Sequence, residues 1–231
     1  MKSVDILITN HNSGDTIALC IESIRKFTDY PHGIIVYDDA TDPAQYDDLT
    51  YLREAQRKGW IRLIEGERRI MHGKSIAALL GETKADFAMI LDCDIEINRP
   101  WWLGEMIRLQ EETGACLIAD IENLANGNVN ISSWFFMLDM AQYPAIADEW
   151  CYTPMEGGGP ADIRPTGYRI WQNIVSQNRS IVLIPAVVKK CFYHHVHMSV
   201  LSLPKEGPNY AIWLKRYAII QAQLSRLRRE G

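Results

Sequence analysis

At 231 residues, with 47% hydrophobic and 23% charged side chains, the chain can bury a sizeable core and fits one main domain with a short appendage. That composition excludes disordered and fibrous classes, and a formal net charge of −5 argues against nonspecific electrostatic coating of nucleic acid, so the expected partner is small. Five cysteines without a Cys-x-x-Cys pair exclude a zinc knuckle and a disulfide framework, which predicts reduced, mostly buried thiols. The first residues lack the apolar core of a secretory signal, no run approaches the ~20 apolar residues of a membrane span, and a cytoplasmic location is the expectation.

Val4 to Ile8 reads as a short apolar strand, followed by a polar loop and a helix in which Ile17, Cys20, Ile21 and Ile24 recur at helical spacing. Ile34 to Tyr37 makes a second strand, then an Asp-rich loop and a helix from about Gln45 to Lys58. Ile61 to Ile64 is a third strand, and a helix around Ser75 to Gly81 leads to a fourth beginning at Phe87. Strands separated by helices imply a parallel α/β sheet with ligands outside the carboxyl ends of the strands, where these polar loops fall. Beyond a helix at Trp101 to Thr113, apolar segments Ala115 to Ile118 and Ser133 to Leu138 precede a glycine-rich loop at Gly157 to Pro160. A helix at Tyr168 to Gln177, a strand at Ile181 to Ile184 and a linker at Pro204 to Pro208 follow. The chain ends in an amphipathic helix, Tyr210 to Arg229, with Ile212, Trp213, Ile219, Ile220, Leu224 and Leu227 as its apolar residues.

The fourth strand carries the sharpest signal. Five consecutive apolar residues, Phe87 to Leu91, suit a strand covered on both faces, and the run ends in Asp92-Cys93-Asp94. Residues two apart on an extended chain share a side but lie roughly 6.5 Å apart, so both carboxylates can serve one diphosphate-metal complex without both being ligands. The bland alternative is that either aspartate caps the next turn.

Four segments together resemble the family 2 glycosyltransferases, nucleotide-sugar transferases of the GT-A fold. Val4-Asp-Ile-Leu-Ile-Thr-Asn-His-Asn12 is similar to the family's first strand and loop, and Ile34-Ile-Val-Tyr-Asp-Asp-Ala-Thr-Asp42 to its second. His72-Gly-Lys-Ser-Ile-Ala-Ala-Leu-Leu-Gly81 resembles the glycine-rich helix start, although Leu80 stands where the family usually has Asn, and Leu91-Asp-Cys-Asp94 resembles the Asp-x-Asp motif. The resemblance implies a GT-A type α/β sandwich, a mainly parallel central sheet flanked by helices, here with the C-terminal amphipathic helix. It places the GT-A domain at residues 1–203, with a nucleotide-binding half (1–98) and an acceptor half (99–203), and the linker and helix at 204–231.

Carried over, Thr9 would lie against the nucleotide base, Asn10 and Asn12 would support the binding edge, and Asp39 would accept the imide proton of uracil or thymine. Loop and cap chemistry explains the same residue types equally well for the two asparagines. Arg69 and Lys74 would offset the charge of the diphosphate, Asp92 would bind the nucleotide sugar, and Asp94 with His195, then His197, would hold Mn²⁺ or Mg²⁺. The base that deprotonates the acceptor for inverting attack is assigned to Asp162, with Glu156 in reserve, because Pro165 stands where relatives carry an acid.

The function implied is metal-dependent transfer of a sugar from a UDP- or dTDP-linked donor to an acceptor that is a glycan, a lipid-linked sugar, a protein or a modified nucleic-acid base. A sugar-phosphate nucleotidyltransferase is the alternative, disfavoured because Thr9 to Asp15 holds one glycine and no cation. A non-catalytic nucleotide-sugar binding protein is the other. The basic C-terminal helix is expected to dock on the domain, with pairing of two chains or peripheral membrane contact as its alternatives.

Overall fold

Ile6, Leu7 and Ile8 of strand β1 (Val4–Asn10) are wholly buried, because the strand sits inside a sheet with helices on both sides. Side chains alternate across a strand: Ile6 and Ile8 pack toward helix α1 (Asp15–Phe27), and Leu7 toward helix α3 (His72–Glu82) on the other face. The computed structural model describes residues 1–44, 46–123, 129–143, 153–154, 163–164, 168–195 and 208–230.

In chain order, β2 (Gly33–Asp38), α2 (Asp48–Arg57) and β3 (Arg62–Glu65) separate α1 from α3, and β4 (Phe87–Asp92) and β5 (Ile95–Ile97) follow it. Then come α4 (Trp102–Thr113), β6 (Leu117–Asn123), β7 (Val129–Asp139), the small pair β8 (Thr153–Pro154) and β9 (Ile163–Arg164), and α5 (Tyr168–Ser176). The chain closes with β10 (Ile181–Leu183), α6 (Ala186–Lys189), β11 (Phe192–His194) and α7 (Pro208–Glu230). The main sheet has the order β10-β6-β7-β4-β1-β2-β3. Strands β4, β1, β2 and β3 are parallel, and β7 runs antiparallel between β4 and β6. This is the mainly parallel α/β sandwich expected of a GT-A fold.

Short antiparallel strands β5 and β11 form a separate ribbon. The sequence reading did not anticipate β5 or α6, since three- and four-residue elements are too short to show a period. Helix α3 begins at His72, three residues before the expected Ser75, and α2 begins at Asp48; Gln45, its expected start, lies outside the described residues.

Helix α7 docks on α1. Ile220, Leu224 and Leu227, at the i, i+4, i+7 spacing of one helical face, bury against Ala18 and Leu19, whereas Ile219 is exposed. The Tyr217 hydroxyl donates to Asp15 Oδ2 at 2.7 Å, and Arg228 Nε to Glu22 Oε1 at 3.0 Å. Among the described residues no helix is long and apolar enough to cross a membrane, and Cys20, Cys93, Cys116 and Cys191 are free and buried.

Candidate metal and donor site

Parallel pairing puts Thr9 beside Asp92 and Asn10 beside Asp38, so the carboxyl ends of β1, β2 and β4 share one edge of the sheet. A cleft of about 130 Å³ opens there, lined by Thr9, Asn10, Asp39, Arg69, His72 and Asp92 among others.

At the floor of the edge, β4 ends at Asp92 and the chain turns through Cys93 and Asp94 into β5. Ligand atoms of Asp92, Asp94 and His194 all lie within 4.8 Å of one another. His194 Nε2 is 3.2 Å from Asp94 Oδ1. Its ring stacks on Trp134 of β7, centroids 4.6 Å apart, which fixes its direction. Asp94 is 3% exposed, and the buried Oδ1 of Asp92 has no hydrogen-bond partner among the described residues. Burial raises the Asp92 carboxyl to about 6; Asp94 pushes the same way, against His72 and His194. Burial also raises the Cys20 and Cys93 thiols, so neither offers a thiolate. Two carboxylates and an imidazole, with one buried oxygen lacking a donor, fit a hard or borderline divalent cation.

A second carboxylate cluster lies behind the loop after β1. Asp48, 2% exposed, accepts the backbone N–H groups of Ser13 at 2.7 Å and Gly14 at 2.8 Å, and Asn10 Nδ2 at 3.2 Å. Burial raises its carboxyl, and these bonds counter the rise. Asp38 accepts Asn10 Nδ2 at 2.7 Å, the Thr41 N–H at 3.0 Å and the Thr41 hydroxyl at 2.6 Å. Asn12, at φ 50°, receives its own tie: its N–H donates to Thr41 Oγ1 and its Oδ1 accepts the Asp42 N–H. Together these bonds brace the two loops against each other.

Asp39 is tied differently. Its oxygens accept the N–H groups of Ile70 at 2.6 Å and Met71 at 2.9 Å, holding Met71 at φ 75°, ψ 154°, a region that costs a residue other than glycine about 1–3 kcal/mol.

The structure thus gathers Thr9, Asn10, Asp39, Arg69 and Asp92 around one cleft, while Asn12 braces the loop and Lys74 is exposed on α3 outside the cleft lining. Asp92, expected on the nucleotide sugar, stands with Asp94 and His194 in the group that could hold a metal ion. The first-choice histidine differs from the expectation: His195 turns its Nε2 to Glu96 Oε2 at 3.0 Å and gives its backbone N–H to Asp94 O, and its neighbour His194 joins the aspartates. Successive strand residues face opposite sides, so only one of the two could do so. His197, Asp162 and Glu156 lie outside the described residues. Sequence reasoning missed Asp48 and the entry of His72 into the cleft.

The family model for glycosyl transferase family 2 matches residues 5–151. The chain belongs to that family. No curated protein sequence matches it. Among solved structures, the mannosyltransferase PcManGT from Pyrobaculum calidifontis, in complex with GDP-Man and Mn²⁺, is similar at a TM-score of 0.58 and 12% identity, over 97% of this chain and 73% of that one. S. aureus TarS is similar at 0.56 and 17% identity, over 80% of this chain and 35% of that one; TarS 1-349 gives 0.54 and 17%, over 80% and 58%. At these identities the likeness is one of fold. The family member described here spans less than two thirds of those TarS chains.

Proposed function

We propose that the protein is a metal-dependent glycosyltransferase that moves a sugar from a nucleoside-diphosphate donor to an acceptor hydroxyl with inversion. The observation that carries this reading is the group Asp92, Asp94 and His194, gathered where β4 ends, with Asp92 also lining a cleft that Arg69 borders. A diphosphate needs cations, and carboxylates alone would repel it.

Asp92, Asp94 and His194 would hold Mn²⁺ or Mg²⁺. When bound, the ion supplies positive charge that stabilises the departing nucleoside diphosphate. Trp134 keeps the His194 imidazole aimed at Asp94, and the Asp48 and Asp38 bonds hold the end of β1, with Thr9 and Asn10, and the loop after it, so ligand groups are in place before the donor arrives. We take the donor base to be uracil or thymine: Asp39 borders the cleft, and each of its oxygens retains a second lone pair for an imide N–H. Residues 1–98 form the donor half and 99–203 the acceptor half. Asp162, then Glu156, supplies the base, and the acceptor is a glycan, lipid-linked sugar, protein or modified base.

The test is thermal unfolding with UDP, dTDP and GDP, each with and without Mn²⁺, followed by donor turnover. UDP or dTDP with the metal should raise the melting temperature most, by mass action on the folded state. No shift with any nucleotide, or equal shifts in chelator and in Mn²⁺, would end the proposal. Tight binding without turnover across a broad acceptor panel would leave a binding protein instead.

A further inference from the structure

His72 is the first residue of α3, directly after the Met71 backbone that Asp39 pins, and its ring reaches into the donor cleft. Nδ1 lies 3.0 Å from Thr9 Oγ1, and Nε2 lies 3.6 Å from Asp92 Oδ1. The first distance is a hydrogen bond and the second is too long for one. A bare Nε2 lone pair facing a carboxylate oxygen would be repelled by it, so Nε2 carries a proton, while Nδ1 is held by its hydrogen bond with the Thr9 hydroxyl. The result is an Nε2–H whose direction is fixed by Thr9 on one side and by the Asp39-bound backbone on the other.

That N–H makes no hydrogen bond inside the chain among the described residues, and it stands on the cleft wall with Arg69. Arg69 can only donate, and so can this edge of the imidazole, which selects a ligand group that only accepts. In a nucleotide sugar the diphosphate and the base carbonyls only accept, whereas each sugar hydroxyl also brings a proton of its own, and of the two the diphosphate carries the negative charge that the neighbouring Arg69 favours. Resting on the glycosyltransferase reading, we propose that His72 is a donor-contacting residue whose Nε2–H hydrogen-bonds the diphosphate, and that Thr9 and Asp39 act through it as positioning residues.

Titration calorimetry with UDP in saturating Mn²⁺, and saturation-transfer NMR with uridine, which lacks phosphate, test this on the full chain. His72→Ala should weaken UDP by about tenfold to a hundredfold, the effect of losing a hydrogen bond to a charged group, and leave uridine within about twofold. His72→Gln, whose amide N–H reaches the place of Nε2, should restore most of the UDP affinity, and His72→Asn, whose amide sits at the place of Nδ1, should not. Thr9→Val should cost UDP less than His72→Ala does, and Asp39→Asn, which also loses an acceptor facing the base, should weaken UDP and uridine together. Because the comparison is between ligands on one variant with an unchanged melting temperature, a folding defect is separable from the role proposed. Unchanged UDP binding by His72→Ala, equal losses of UDP and uridine, or equal rescue by Gln and Asn would overturn the inference and leave the glycosyltransferase reading standing. A wild-type protein that binds none of UDP, dTDP and GDP would overturn both.

Discussion

The donor edge holds two buried carboxylate clusters, one behind the loop after β1 and one at the end of β4. Asp48 and Asp38 are saturated: backbone and side-chain donors reach their oxygens from Asn10, Ser13, Gly14 and Thr41. At the end of β4 the charge density is similar, yet Asp92 Oδ1 is buried without a hydrogen bond among the described residues, and the nearby nitrogens come from histidines. Charge does not separate the two. Saturation does: a satisfied carboxylate is a brace, and an unsatisfied one is poised for a ligand that is absent from the chain itself.

The largest effect should follow from attacking the cluster at the end of β4. Asp94→Ala is expected to lower UDP affinity in saturating Mn²⁺ by about a hundredfold or more and to remove turnover, since losing a ligand costs more than the about 10- to 100-fold of losing an outer partner. Stability should fall less than in Asp48→Ala, because a buried carboxylate leaves with the side chain even though its contact with His194 is lost. Calorimetry paired with metal-free urea unfolding reads both. A variant that unfolds early yet binds UDP normally would invert the comparison.

The saturated cluster should respond the opposite way. Asp48→Ala strands the N–H groups of Ser13 and Gly14 and the amide of Asn10 in a buried setting, for an expected loss of about 3 kcal/mol in urea unfolding. Nucleotide affinity should drop only as far as the loop loosens, about tenfold or less, because no ligand of the metal is touched. A larger fall in affinity than in Asp94→Ala would break the distinction.

How much of this was legible depended on whether a residue's role is local. Asp92 and Asp94 were readable because a strand buried on both faces cannot end in two carboxylates without a reason, and the order of the β1, β2 and β4 motifs placed them at one edge. The choice between His194 and His195 was not, since it turns on the register of a three-residue strand, and a slip of one residue exchanges the faces. The structure decides it: Phe192 stacks on Phe135, and the residue two beyond it, His194, shares its side. Asp48 carried no motif, because its partners are 34 to 38 residues away in sequence. The clamp from Asp39 to Met71 was equally silent, since nothing in Arg68-Arg69-Ile70-Met71 announces a left-handed backbone.

The smallest effect sharpens the comparison through pH. In chelator the folded Asp92 carboxyl, raised to about 6 by burial, binds its proton more tightly than in the unfolded chain, where the value is about 3.9. Unfolding therefore releases a proton between these values, and stability must fall as pH rises through that window and level off above it. The full shift would be worth about 3 kcal/mol, but the side chain is 28% exposed, and solvent screening reduces the expectation to about 1–2 kcal/mol. Asp92→Asn cannot titrate, so its stability relative to wild type should rise by that amount between about pH 4 and pH 7, as read by urea unfolding in EDTA. Equal pH slopes for the two proteins would mean that Asp92 is already compensated and belongs with the braces. Saturating Mn²⁺ should reverse the order at neutral pH, because the cation binds the ionised carboxylate and stabilises only the chain that keeps it.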